Sequence, residues 1–78
     1  MRRFMVVERF RDGCLGAAYD RFRTEGRHLP PGLHYLNSWL DRDAAICFQL
    51  METDDPDLFP IWFAHWSDLV EFELHEVE

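Results

Sequence analysis

The sequence contains no lysine, only two cysteines and no long run of apolar residues. Cys14 and Cys47 lie too far apart for a C-x-x-C motif and cannot form a disulfide framework, so we expect free thiols. Apolar runs such as residues 59–64 are too short and too interrupted to span a bilayer. Arg2 and Arg3 are followed by only four apolar residues before Glu8, which is too few for a signal peptide. These absences predict a cytoplasmic protein with no membrane partner.

The composition indicates a single small globular domain over residues 1–78. Of the 78 residues, 47% are hydrophobic and 15% are aromatic, which argues against disorder. A chain of this length buries only about 60% of its unfolded surface and is close to the lower limit of independent stability. We therefore expect it to form an oligomer.

Charge is distributed unevenly along the chain. Seven arginines and four acids give residues 1–27 a charge of +3, whereas one arginine and eleven acids give the remainder −10. This asymmetry predicts ion pairs between a basic first strand and an acidic last strand. The net charge of −7 repels phosphate backbones, so we expect no nucleic-acid partner.

The first third of the chain predicts a strand followed by a helix. Residues 3–10 are rich in β-branched and aromatic side chains, and Asp12 is the expected N-cap of a helix over residues 14–25. Apolar residues recur at helical spacing in that segment. Gly26 is expected to end the helix, and Gly16 near its start costs about 1 kcal/mol relative to alanine.

The middle of the chain predicts a β-hairpin. The two prolines in residues 28–32 exclude a helix there. Residues 33–40 and 45–51 then form two predicted strands joined by a polar turn at residues 41–43. Both strands carry apolar residues on each face, so both faces of the sheet are expected to be covered.

The last third predicts a second helix and a fourth strand. Asp55 is a good N-cap with Pro56 at the first helical position, but Pro60 would then delete a backbone hydrogen bond. A start near Asp57 or a bend in the first turn is the alternative. Residues 69–77 alternate, and Val70 and Phe72, followed by Leu74, are expected to face the helices.

The order βαββαβ predicts an α+β fold of the ferredoxin-like type. In this arrangement a four-stranded antiparallel sheet carries both helices on one face. The other face would be open and apolar in a monomer. We therefore expect a homodimer in which the two sheets face each other.

Four segments resemble a family of short bacterial domains catalogued only as a domain of unknown function: VVERFRDG (6–13), LNSWLD (36–41), CFQLMETDDP (47–56) and WSDLVEFE (66–73). Pro60 and the second proline of residues 28–32 depart from that family's pattern. More loosely, the element order resembles the dimeric α+β barrel superfamily, which includes muconolactone isomerases, cofactorless quinone monooxygenases and haem-degrading monooxygenases. That second resemblance implies a fold and not a function.

A candidate ligand pocket is predicted on the second and third strands. Strict alternation would put Tyr35, Asn37 and Trp39 on one face of the second strand and His34 on the other, and Gln49 is a polar residue on a central strand. Asn, Trp and His also occur in clefts of the analogous superfamily. The alternative interpretation is that Trp39 and Tyr35 are core or interface aromatics and that Asn37 is a local hydrogen-bonding or bulge residue.

Gln49 and Glu8 are two polar residues on strands that are expected to be central. Buried polar groups need partners, so the pair indicates either a polar pocket at the sheet face or mutual hydrogen bonding with Arg9, Tyr35 or Asn37. A polar dimer seam is the alternative to the pocket.

No residue pattern predicts a metal or a cofactor, and no catalytic residue is assigned. Glu71, Glu73 and His75 alternate along the last strand, but such charges are typical of a solvated edge strand. His65 and Asp68 are spaced for a His–carboxylate pair, with no nucleophile nearby.

Three functions remain open from the sequence. The first is a homodimeric domain that binds a small ligand or a protein partner. The second is a cofactor-independent monooxygenase or isomerase that acts on a small aromatic or carbonyl compound. The third is an adaptor that docks another protein through its acidic last strand and aromatic second helix.

Overall fold

The computed structural model describes all 78 residues and alternates strands and helices in the predicted order. The elements are β1 (Arg2–Phe10), α1 (Leu15–Glu25), β2 (His34–Asp41), β3 (Ile46–Thr53), α2 (Leu58–Phe63) and β4 (Val70–Val77). The four strands form one sheet in the order β2-β3-β1-β4, and every neighbouring pair is antiparallel. The α+β ferredoxin-like fold is confirmed.

The start of α1 differs from the sequence prediction. Cys14, not Asp12, is the capping residue, and its carbonyl accepts the first helical hydrogen bond from the Ala18 N–H at 2.9 Å. No side chain caps this end. The other end is as predicted: Gly26 has φ +75°, and its N–H donates to the Phe22 carbonyl.

The second helix is short and begins late. Asp57 precedes α2, so the start at Pro56 is wrong and the start near Asp57 is right. Pro60 then occupies the third helical position, where a backbone N–H has no partner within the helix. The proline is tolerated for that reason, and α2 extends over only six residues.

The hydrophobic core lies between the sheet and the helices. Its buried members are Phe4, Val6, Leu33, Met51, Phe59, Trp62, Trp66 and Val70. Phe72 joins it by stacking on Phe63, with ring centroids 4.1 Å apart. Leu74 shares this face of β4, as predicted, but it lies on an edge strand of the sheet and is 38% exposed.

A β-bulge interrupts the regular alternation of β2. Tyr35 pairs with Met51 and Asn37 with Leu50, so the chain shifts register between them. A one-residue shift moves every later side chain to the opposite face. Tyr35 therefore lies on the helix-covered face, whereas Asn37 lies on the open face.

Ion pairs join the basic start of the chain to its acidic end, as the charge distribution predicts. Arg2 binds Glu76 at 2.7 Å and Arg9 binds Glu73 at 2.8 Å. Each such exposed pair adds little to stability, about 1 kcal/mol or less. Their role here is to favour the register of β4 beside β1. No helix in the structure combines the length and hydrophobicity needed to cross a membrane.

Candidate functional site

A cavity of about 100 Å³ lies between α1 and the helix-covered face of the sheet. Twelve residues line it, and eight of them are hydrophobic. The four polar lining residues are Glu8, Arg27, Ser38 and Gln49. An apolar cavity with a few convergent polar groups is the usual form of a small-molecule site.

Glu8 is the buried acid of this cavity. Its side chain projects from the middle of β1, and the residue is only 7% exposed. Burial raises the pKa of the Glu8 carboxyl to about 7, because a charged carboxylate loses its hydration there. A hydrogen bond from Gln49 and the charge of Arg27 oppose this shift without cancelling it.

Gln49 is the direct partner of Glu8. Its Nε2 donates a hydrogen bond to Glu8 Oε1 at 2.8 Å. The other end of the same amide, Oε1, is buried and has no donor among the protein's own groups. A buried acceptor without a donor costs about 1–3 kcal/mol. The cavity therefore presents an acceptor that a bound molecule can satisfy.

Two further titratable side chains face Glu8, and both are uncharged. Cys47 lies opposite Glu8 on β3, and burial raises the pKa of its thiol to about 12. Tyr19 on α1 also has a raised pKa, mainly because of burial. Neither group is an ionised nucleophile at neutral pH, so the acid–base chemistry of this cavity belongs to Glu8.

Arg27 supplies the only positive charge in the cavity lining. Its guanidinium carbon lies 3.7 Å from the centre of the Tyr35 ring and 4.7 Å from that of Phe22. No salt bridge involves this half-buried residue, although most other arginines of the chain are ion-paired. The N–H donors of Arg27 are thus free to bind an anion.

Two tryptophans fix the backbone of Arg27. The indole N–H groups of Trp62 and Trp66 both donate to the Arg27 carbonyl, at 2.8 and 2.9 Å. His28, the next residue, has φ +61°, a conformation that non-glycine residues rarely adopt. The core thus holds the loop after α1 in one position and keeps the guanidinium beside the cavity.

The structure divides the pocket residues that were expected from the sequence. Gln49 lines the cavity, while Tyr35 lies beside it, under Arg27, and bonds Ser38 at 2.7 Å. His34, Asn37 and Trp39 lie on the open face, on the other side of the sheet. The expected common face of Tyr35, Asn37 and Trp39 is wrong, because the bulge at residues 35–37 separates them.

Sequence reasoning missed Arg27, and no local pattern could have revealed it. Arg27 follows the glycine that ends α1. The position of its side chain depends on the hydrogen bonds that Trp62 and Trp66, more than thirty residues away, donate to its backbone carbonyl. Glu8 did carry a signal: an acid in an otherwise apolar central strand.

The remaining titratable clusters have structural partners. The His65–Asp68 pair does not form, because Arg21 binds Asp68 at 2.7 Å and the His65 ring stacks on His28. On β4, Glu73 bonds both Arg9 and His75.

Residues 2–77 match the sequence profile of a family described as "Domain of unknown function (DUF3303)". Neither the search of curated proteins nor the search of solved structures gave a match.

Proposed function

The chain belongs to the DUF3303 family, whose description carries no activity, and from the geometry of the cavity we propose that it is a homodimeric domain that binds a small ligand. The observation that carries ligand binding is the buried Gln49 Oε1, which has no donor and lies in a largely apolar cavity beside Glu8. A ligand that combines an apolar body with one hydrogen-bond donor fits these surroundings. The cavity, at about 100 Å³, is smaller than the roughly 150 Å³ apolar cavity that takes up benzene, but it opens to solvent, so a single ring would fit with part of it at the mouth.

Phenol and toluene test this proposal as a matched pair. Phenol places a hydroxyl where toluene has a methyl group. Burying a hydroxyl is unfavourable unless it donates a hydrogen bond, and Gln49 Oε1 is the acceptor available in this cavity. We expect phenol to bind more tightly than toluene, with amide shifts at the cavity residues in two-dimensional NMR titrations. Gln49→Met, of similar length but with no acceptor, should lose this preference while the spectrum stays dispersed. Absence of cavity shifts with both compounds would contradict the proposal.

Glu8 favours an enzymatic alternative, a cofactor-independent isomerase or monooxygenase. A carboxyl group with a pKa of about 7 can both accept and donate a proton at neutral pH. Such a group could move a proton at the carbon beside a carbonyl. Exchange of the methyl hydrogens of acetophenone in heavy water, followed by NMR, tests this alternative. Equal exchange rates with the wild type and Glu8→Gln would exclude proton transfer by Glu8. Ligand binding would then be the remaining function.

The homodimer rests on the open face of the sheet. Its exposed or half-buried apolar side chains come from the three adjacent strands β2, β3 and β1, where Trp39 is 51% exposed and Phe48 is 37% exposed. Trp39 and Phe48 are cross-strand neighbours, and Asn37 pairs with Leu50 beside them. The charged groups Arg9, Glu73 and His75 border this patch towards β4.

A second copy of the chain is the occupant that this pattern supports. In a dimer with two-fold symmetry, the apolar patches of the two copies pack against each other. The border of positive and negative side chains on one copy then faces a surface of the other copy that also carries both signs of charge. In this arrangement Asn37, Trp39 and His34 contribute to the dimer seam, whereas Gln49 and Tyr35 belong to the cavity.

A further inference from the structure

The cavity combines two features that select one class of ligand. Arg27 offers an unpaired cation, half-buried and stacked on Tyr35. Glu8 and Gln49 form the polar group on the sheet side, and no hydrogen bond or ion pair joins them to Arg27. A ligand that carries an anionic group and a separate hydrogen-bond donor would contact both.

We propose that the ligand is a small hydroxylated aromatic carboxylic acid, bound with its carboxylate on Arg27, its hydroxyl on Gln49 Oε1 and Glu8 in the protonated form. This inference rests on the proposed function and names its ligand class. Arginine binds carboxylates with two parallel hydrogen bonds, which Arg27 has free. The flat ring suits a lining that includes Tyr19, Phe22 and Trp62.

The protonated form of Glu8 is required by charge. A carboxylate ligand beside an ionised Glu8 would place two negative charges in one partly buried cavity that holds a single arginine. With Glu8 neutral, the cavity is positive and attracts the anion. The other titratable groups that face Glu8, Cys47 of β3 and Tyr19 of α1, stay neutral; the neighbour on β4 is Phe72, and α2 contributes Trp62.

The test compares 4-hydroxybenzoate with 4-hydroxybenzamide, a neutral compound of nearly the same shape, by NMR titration at pH 6. We expect the wild type to bind the acid about tenfold more tightly, because hydrogen bonds to charged groups are the stronger ones. Arg27→Gln should bind both compounds equally. Its fold should persist, since Trp62 and Trp66 hold the backbone carbonyl and not the side chain.

Arg23→Gln is the matched control, since it removes the same charge from an exposed position of α1 outside the cavity. It should keep the preference for the acid. Equal binding of acid and amide by the wild type would overturn this inference and leave the proposed function standing. Loss of the preference in Arg23→Gln as well would also overturn it. Failure of both compounds to bind would remove the proposed function too.

Proton linkage gives an independent measurement on the same system. With a Glu8 pKa of about 7, the protonated fraction falls about tenfold between pH 6 and pH 8, and the Kd of the acid should rise by the same factor. In Glu8→Gln the Kd should change less than twofold over this range. A Kd of the wild type that is independent of pH would contradict the role given to Glu8.

Discussion

Burial of the Glu8 carboxyl makes the stability of the protein depend on pH. Its folded-state pKa of about 7 lies above the ordinary value of 4.5, so the folded protein holds a proton that the unfolded chain releases. The stability from this group is complete below pH 4.5 and is lost as the pH rises through 7. The shift corresponds to about 3 kcal/mol.

Glu8→Gln should remove this dependence, because glutamine does not titrate and keeps the shape of the side chain. We expect the free energy of unfolding of the wild type to fall by about 2 to 3 kcal/mol more than that of the variant between pH 5 and pH 8. Urea unfolding at both pH values measures the difference. Parallel behaviour of the two proteins would show that Glu8 is hydrated in the folded state.

The comparison with Glu8→Gln separates this effect from that of the exposed carboxyls. Hydrogen bonds from Arg21 and Arg2 hold the pKa values of Asp68 and Glu76 below their usual range. Their contribution is present above the unfolded pKa and is lost in acid, which is the opposite direction. Both proteins share it, so it cancels.

At the scale of elements, Gly16 within α1 and Gly26 directly after it offer a matched test of backbone conformation. A Cβ added at Gly16 or at Gly26 meets no atom within 4 Å, so packing does not distinguish the two positions. Only Gly26 has a positive φ, +75°. Gly16→Ala should stabilise the protein by about 0.5–1 kcal/mol, because alanine is the better helix former.

Gly26→Ala should destabilise the protein by about 1–3 kcal/mol, because an L side chain is strained in that conformation. Thermal unfolding of both variants measures the contrast. Equal changes at the two positions would mean that α1 does not end at Gly26 in solution.

The elements were largely predictable from the sequence because their signals are local. Gly26 ends α1, and alternation defines β4. Asp12 is not the cap because it lies within a turn. In that turn the Cys14 N–H donates to the Arg11 carbonyl, and the cap lies two residues later than predicted. The bulge at residues 35–37 breaks the strict alternation on which the expected common face rested, and the sequence indicated it only as an alternative role of Asn37. It is the reason that the expected pocket residues lie on two faces of the sheet.

The cavity could be predicted only in part for a related reason. Glu8 and Gln49 are unusual residues for central strands and were recognisable as such. Arg27 lies at the cavity because Trp62 and Trp66, which are distant in sequence, bind its backbone carbonyl. No residue spacing in the chain indicates this placement.

At the scale of the whole molecule, the open face of the sheet governs assembly. Sedimentation at micromolar concentration should give about twice the 9.4 kDa mass of one chain. Phe48→Asp should give a monomer, because it places a charge in the middle of the apolar patch. Ile61→Asp is the control, since Ile61 is an exposed apolar residue of α2, outside the patch, and should leave the dimer intact.

A wild type that sediments as a monomer, or a Phe48→Asp variant that remains a dimer, would contradict the assembly through the open face. The cavity proposal would stand in either case, because the lining residues come from one chain. The cytoplasmic location expected from the sequence stays a prediction.

Arg27, Gln49 and a protonated Glu8 together form the ligand site that we propose in the cavity under α1. A crystal structure of the protein soaked with 4-hydroxybenzoate at pH 6 would show whether the compound occupies it. We predict density for the compound inside the cavity, with its carboxylate on Arg27 and its hydroxyl on Gln49 Oε1. Well-ordered water alone in the cavity, or the compound bound only elsewhere, would show that the cavity is not a site for this class of ligand.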